Sequence, residues 1–224
     1  MLPVSPVLCP LLMVISLVLA SACTSLKSDL DGFPVYKDIR HSRQISFQVG
    51  PEAPSWIQGA ASVAIRHWNR QLGFKAFRLT NRSGDVQIRY RESARLETHP
   101  GETHLKGCME PWAGEFECTI FLQIPVRLST VEDLARANAL LRASPIDKDL
   151  AQSTHDSAGT WLRDKLAVFV LIHEIGHSAG LAHTELEGCM MHSTPRQDFT
   201  FCEQELAAIR NLLTPEIEMA RRNH

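Results

Sequence analysis

The stretch HEIGHSAGLAH constrains the fold of this chain more than any other segment. His173 and His177 are four residues apart, so on a helix their imidazoles lie on one face at the separation that a tetrahedral metal ion needs. Glu174 is rotated about 100 degrees from His173 around the helix axis and can reach a metal-bound water. Gly180 can adopt a left-handed conformation that turns the chain and returns His183 to the metal. The sequence therefore predicts a helix that ends at a three-histidine metal site.

Three protein nitrogens leave one tetrahedral position for water, which is typical of a catalytic rather than a structural zinc site. A zinc ion lowers the pKa of its water towards neutrality, and Glu174 is placed to take the proton as a general base. The simpler alternative is a packed histidine pair, because an apolar stripe along the same helix continues onto His173 and His177. The complete pattern favours hydrolysis, since a packed pair needs neither a third histidine nor a base.

The same eleven residues match the pattern HExxHxxGxxH, and the chain therefore resembles the metzincin zinc metallopeptidases, most of all their matrixin branch. These enzymes carry a methionine-containing turn beneath the zinc, and the segment CMMH at 189–192 lies where that turn belongs. Met191 is at the matrixin distance from the third histidine, and Met190 is the alternative. The resemblance implies cleavage of peptide bonds at one catalytic Zn²⁺ bound by His173, His177 and His183, with Glu174 as general base and Met191 as structural support.

A weaker resemblance upstream extends the similarity over most of residues 44–213. The helix predicted at Ser55–Leu72 contains Trp68, and the following GDVQIRY is similar to the A-D-I-x-I-x-F strand of matrixins. The resemblance implies an α+β catalytic domain with a twisted mixed sheet, an antiparallel edge strand, two long helices and a small C-terminal subdomain after Gly180. Peptide substrates of such enzymes lie along the edge strand, which we place near His104–Met109.

Two features depart from the matrixin pattern. The chain has no PRCGxPD-type cysteine switch, so control of a zymogen by a thiol is not expected. The segment in which matrixins place additional ion ligands contains His99 and His104 but no Asp-rich run. Structural Ca²⁺ is therefore not supported by the sequence, and we expect a single catalytic zinc ion.

Hydrophobic periodicity, capping signals and turn residues predict the elements of the folded part. A strand, a helix and two further strands near its start indicate a sheet backed by helices. A short final turn is expected to start at Thr214-Pro215. The predicted strands are Gln44–Val49, Lys75–Thr80, Asp85–Arg91 and Phe116–Ile124, and the predicted helices are Ser55–Leu72, one from the Ser129/Glu132 capping box to before Pro145, one from Thr160 through His177, and one from the Thr200/Glu203 capping box to about Leu213.

The N-terminal region indicates export. Residues 1–22 are uncharged and apolar and end in Ala-Ser-Ala, as in a signal peptide. Cys23 follows these small residues, which resembles the lipobox of bacterial lipoproteins and makes Cys23 the candidate for lipidation; ordinary cleavage that releases a soluble protein is the alternative. We expect residues 23–43 to form a tether and residues 44–224 to form the metallopeptidase domain.

Four cysteines remain after Cys9 in the signal and Cys23, and an even number suits two disulfides in an oxidising compartment. Proximity in the sequence favours the pairs Cys108–Cys118 and Cys189–Cys202, although three pairings are open. No CxxC spacing is present, so a thiolate zinc cluster is not expected.

The charge balance gives no sign of a nucleic-acid partner. Lys plus Arg number 23 and Asp plus Glu 25, for a formal net charge of −2 without a long run of one sign. The expected partner is a protein or peptide substrate, and membrane contact is expected only through the lipid anchor. Two other functions stay open: a zinc-stabilised binding lipoprotein without activity, and a zinc amidase that acts on cell-wall peptides.

Overall fold

The computed structural model describes residues 26–28, 34–36, 44–96, 100–106, 117–128, 130–141, 158–192 and 201–222. The predicted signal in residues 1–22, Cys23 and Cys108 lie outside these ranges. The described elements are, in chain order, β1 (Leu26–Ser28), β2 (Pro34–Tyr36), β3 (Ile45–Val49), α1 (Ser55–Leu72), β4 (Phe77–Leu79), β5 (Val86–Tyr90), β6 (Gly101–Lys106), β7 (Glu117–Leu122), α2 (Val131–Leu141), α3 (Ala158–Ser178) and α4 (Glu203–Arg222).

The central sheet has five strands in the order β4-β3-β5-β7-β6. Strands β4, β3, β5 and β7 are parallel to one another, and β6 runs antiparallel to β7 at the end of the sheet. Helix α1 connects β3 to β4, as a parallel pair requires. The combination of this sheet with separate helices agrees with the α+β class that the sequence predicts.

Helix α1 covers the sheet with the apolar face that its sequence predicts. Ile57, Ala61, Ala64 and Trp68 recur at helical spacing and are fully buried. Gly73 ends the helix at φ 80°, and its N–H donates to the carbonyl of residue 69 at 3.0 Å. This left-handed residue is typical of a helix C-terminus and gives α1 its predicted bounds.

Helix α3 packs against α1 and carries the predicted site into the core. The indole Nε1 of Trp68 donates a hydrogen bond of 2.8 Å to the carbonyl of Ile172, one residue before His173. Trp68 is fully buried and contacts Phe77 and Phe201 edge to face. This hydrogen bond therefore links α1 to α3 directly before His173.

Residues 26–28 and 34–36, within the segment expected to be a tether, form two short strands. Strands β1 and β2 pair in antiparallel register, from Leu26 opposite Tyr36 to Ser28 opposite Pro34. Val35 is buried and forms a bridge with Leu181. The burial of Val35 and this bridge bring β2 into contact with the segment after α3.

Most predicted boundaries differ from the structure by one or two residues, and those of β6 and α4 differ by more. Strand β6 covers Gly101–Lys106 rather than starting at His104, because its ladder with β7 continues to the pair Gly101 and Leu122. Helix α4 continues through Thr214-Pro215 to Arg222, where we expected a separate turn. A proline removes only one backbone donor, and a long helix retains the remaining hydrogen bonds.

Within the described ranges, no helix is both long enough and apolar enough to cross a membrane.

Replacement of Trp68 by phenylalanine is expected to destabilise the protein by about 1–3 kcal/mol, since it removes a buried hydrogen bond and leaves a cavity. Urea unfolding measures the change. Trp161→Phe is the matched control, because Trp161 lies at the partly exposed start of α3 beside Lys165. Equal midpoints for the two variants would show that the Trp68 contact does not join the helices.

Candidate metal centre

The structure brings His173, His177 and His183 together. The Nε2 atom of His183 lies 3.1 Å from Nε2 of His173 and 3.1 Å from Nε2 of His177. One ligand atom from each ring lies within 4.8 Å of the others. The three residues are therefore close enough to bind one metal ion, as the sequence predicts.

Backbone carbonyls orient two of the three rings. Nδ1 of His173 is 2.9 Å from the carbonyl oxygen of Met190, and Nδ1 of His177 is 2.9 Å from that of Leu181. A carbonyl only accepts, so each Nδ1 carries the hydrogen and each neutral ring keeps its lone pair on Nε2. Both lone pairs then face His183, and this donor set fits a cation rather than a network of neutral hydrogen bonds.

The turn at Gly180 places the third ring. Gly180 has φ 106°, its N–H donates to the carbonyl of His177 at 3.0 Å, and the N–H of Leu181 donates to the carbonyl of Gly176 at 3.0 Å. These two bonds form a Schellman motif, in which a left-handed residue ends the helix and satisfies its last carbonyls. The chain then reverses, so His183 faces the helix that it has just left.

Burial keeps the helical histidines neutral. It lowers the pKa of His173 to about 4 and holds the pKa of His177 well below its ordinary value of 6.5, and the neighbouring imidazoles act in the same direction. Neutral imidazole is the form that binds a metal ion. His183 is exposed, so the cluster is open on one side.

Glu174 lies beside the cluster on α3 and is 5% exposed. Its carboxylate Oε2 accepts a hydrogen bond of 2.5 Å from the hydroxyl of Thr103 in β6. The predicted base on α3 is thus bonded to the sheet. No sequence signal pointed to Thr103, which is a single threonine in a segment read as irregular.

The predicted methionine turn lies against α3. Met191 is fully buried, and a side chain at Gly176 would overlap its sulfur atom. Met190 supplies the carbonyl that orients His173, so the two methionines have different contacts. The N–H of Thr184 donates to the carbonyl of Met191 at 2.9 Å, which joins the turn to the segment after His183.

Glu205 of α4 is a site residue that the sequence interpretation missed. It is fully buried, and its two oxygens accept the N–H groups of Met190 and Met191 at 3.1 Å each. Burial raises the pKa of Glu205 to about 8. The hydrogen bonds from backbone N–H groups lower the pKa, but burial has the larger effect. The available signal was its helical spacing, because Glu205 lies three and four residues before Ala208 and Ile209, on the apolar face of α4.

The disulfide Cys189–Cys202 is confirmed and joins the methionine turn to the start of α4. Cys118 is buried in β7, and its predicted partner Cys108 lies outside the described residues. His104 of the predicted substrate strand lies in β6, opposite Thr119.

Strand β2 also contacts the ligand segment. The N–H of Ala182 donates to the carbonyl of Pro34 at 3.0 Å, and Val35 pairs with Leu181. Ala182 directly precedes His183, so residues 34–35 hold the backbone of the third ligand. The sequence alone does not predict this contact, because residues 34–35 and 181–182 are far apart in the chain.

No family model and no curated protein matches this chain.

The raised pKa of Glu205 predicts a pH dependence of stability. The folded state binds the proton of Glu205 more tightly than the unfolded state, so the free energy of unfolding falls as pH rises from about 4.5 to about 8. His173 has the opposite effect, because its pKa is lowered on folding. Its contribution to the free energy of unfolding rises with pH, but only below about pH 6.5.

Urea unfolding of metal-free protein at pH 7 and pH 8 is therefore expected to show a smaller loss of stability in Glu205→Gln than in the wild type. Glu203→Gln, at an exposed position of the same helix, is the control. Identical losses in all three proteins would contradict the assignment.

Undocking β2 is expected to weaken metal binding. Val35→Asp places a charge at a buried position, and the release of Ala182 and His183 should raise the dissociation constant for added Zn²⁺ about 10-fold. Competition with a chromophoric chelator measures it. Val131→Asp makes the same change at a residue that is 78% exposed and should have no effect. Equal affinities would show that β2 does not support the third ligand.

Proposed function

We propose that this protein is a zinc-dependent endopeptidase that hydrolyses peptide bonds in extracytoplasmic proteins or peptides. The observation that carries the proposal is the convergence of three imidazole Nε2 atoms at a helix on which a buried glutamate directly follows the first histidine. A purely structural site needs no such carboxylate, whereas hydrolysis needs a base next to the metal. The opening at His183 gives a substrate access.

Zinc is the ion that this ligand set suits best. His173, His177 and His183 offer neutral nitrogen ligands, which zinc accepts in tetrahedral sites, whereas calcium and magnesium prefer oxygen. When bound by three protein ligands, zinc supplies a Lewis acid and a water of lowered pKa. The carbonyls of Met190 and Leu181 would keep two of the rings in the metal-binding tautomer.

Glu174 would act as the general base. Its carboxylate would take a proton from the attacking water and pass it to the amine that leaves when the peptide bond breaks. The position of Glu174 directly after His173 on α3 keeps it beside the ligands without being one of them. The hydroxyl of Thr103 donates a hydrogen bond to this carboxylate.

Several features support a matrixin-like metzincin. The helix ends at Gly180, the third histidine follows the turn, and Met191 packs beneath Gly176. Strand β6 is antiparallel and stands at the end of the described sheet, where an extended peptide could add as a further strand. This strand addition is the reason to propose peptides rather than small molecules as substrates.

The proposed location is the cell envelope, with Cys23 as the lipidated residue, or the exterior if Cys23 is not acylated. The Cys189–Cys202 disulfide supports an oxidising compartment, because such bonds seldom persist in a reducing cytosol.

The test compares the wild type with Glu174→Gln for zinc content and for cleavage of a random peptide library. We expect equal zinc and a loss of about 10²- to 10⁴-fold in kcat, since only the base is removed. Glu187→Gln, at an exposed position beyond the third ligand, is the matched control and should cleave normally.

The other outcomes separate the alternatives. Full activity of Glu174→Gln would refute its role as base. A wild type that holds zinc and cleaves no peptide would favour a zinc-stabilised binding protein. Cleavage of cell-wall peptides alone would favour an amidase.

A further inference from the structure

Thr103 makes the closest polar contact with the proposed base. Its hydroxyl oxygen lies 2.5 Å from Oε2 of Glu174 and 3.2 Å from the backbone carbonyl oxygen of the same residue. A hydroxyl has one hydrogen, and the shorter distance assigns it to the carboxylate. A hydrogen bond to a charged acceptor is about twice as strong as one between neutral groups, so this contact can fix the carboxylate.

Gly101 confines the same carboxylate from the same strand. Gly101 and Thr103 are two residues apart in β6, so both face α3. A Cβ atom at Gly101 would lie 2.9 Å from Oε1 and 3.0 Å from Cγ of Glu174, and it would overlap Val170. Only glycine at position 101 allows β6 to approach Glu174 this closely. Thr103 bonds the other carboxylate oxygen, Oε2.

The pairing of β6 with β7 does not require the threonine hydroxyl. The strands are joined by a backbone ladder in which Thr103 is opposite Ile120. The hydroxyl points at the base instead of the ladder, so it is available to orient the carboxylate. Proton transfer needs such orientation, because a base must lie within hydrogen-bonding reach of the proton and in a defined geometry.

We propose that Thr103 is a positioning residue that orients the carboxylate of Glu174 for proton transfer during peptide hydrolysis. The proposal rests on the proposed function. Because β6 is also the strand on which a peptide could add, one strand would align both the substrate and the base. Thr103 itself need not touch the substrate or the metal.

The test uses Thr103→Val, which keeps the shape but removes the hydroxyl, and Thr103→Ser, which keeps the hydroxyl. We expect Thr103→Val to bind zinc normally and to lose about 10- to 100-fold in kcat, while KM changes little. Thr103→Ser should retain most of kcat. Thr119→Val is the matched control, because Thr119 lies in β7 opposite His104 and its side chain points to the other face of the sheet.

A second measurement does not depend on activity. Thr103→Val should lower Tm more in the wild type than in Glu174→Ala, in which only the backbone carbonyl of residue 174 remains as an acceptor for the hydroxyl. Equal Tm shifts in the two backgrounds would overturn the proposal.

The kinetic outcomes also distinguish the two proposals. If the wild type cleaves peptides and Thr103→Val has an unchanged kcat, or if Thr103→Ser is impaired as strongly as Thr103→Val, only the role of Thr103 is refuted. If the zinc-loaded wild type cleaves no peptide, the proposed function fails and the catalytic role of Thr103 fails with it.

Discussion

The reversal of the backbone at Gly180 is the constraint on which the rest of the site depends. A helix alone can align His173 and His177, but it would carry a third histidine onto another face. The left-handed residue ends α3 with a Schellman motif. The next three residues bring Nε2 of His183 to 3.1 Å from Nε2 of both His173 and His177. The same turn supplies the carbonyl of Leu181 that sets the tautomer of His177.

The described residues 181–192 after Gly180 have little regular structure, and contacts from β2 and from the start of α4 hold them. Strand β2 binds the backbone of Ala182, the disulfide fastens the methionine turn to α4, and Glu205 accepts two N–H groups of that turn. Such links matter because a ligand on a loop loses conformational entropy when it binds a metal, and a loop that is already fixed loses less. The small region around His183 is therefore ordered by its surroundings.

The core and the site share one helix. Trp68 bonds the carbonyl that directly precedes His173, Met191 packs where Gly176 lacks a side chain, and Thr103 reaches Glu174 from the sheet. Polar groups of the site are thus placed by buried packing, which is stiffer than a surface loop. Burial also keeps the helical imidazoles neutral, so the packing that orders the ligands sets their charge as well.

The sequence by itself determined the local features: the bounds of α1, the histidine spacing on α3, the turn at Gly180 and the disulfide between nearby cysteines. Each of these follows from helical periodicity, the freedom of glycine or a short chain separation. Only the tertiary structure decided that Thr103 meets Glu174, that Glu205 binds the methionine turn and that Val35 pairs with Leu181. The first and last of these contacts join residues far apart in the chain, and Glu205 bonds backbone N–H groups, which any residue type offers. Neither kind of contact leaves a periodic trace in the sequence.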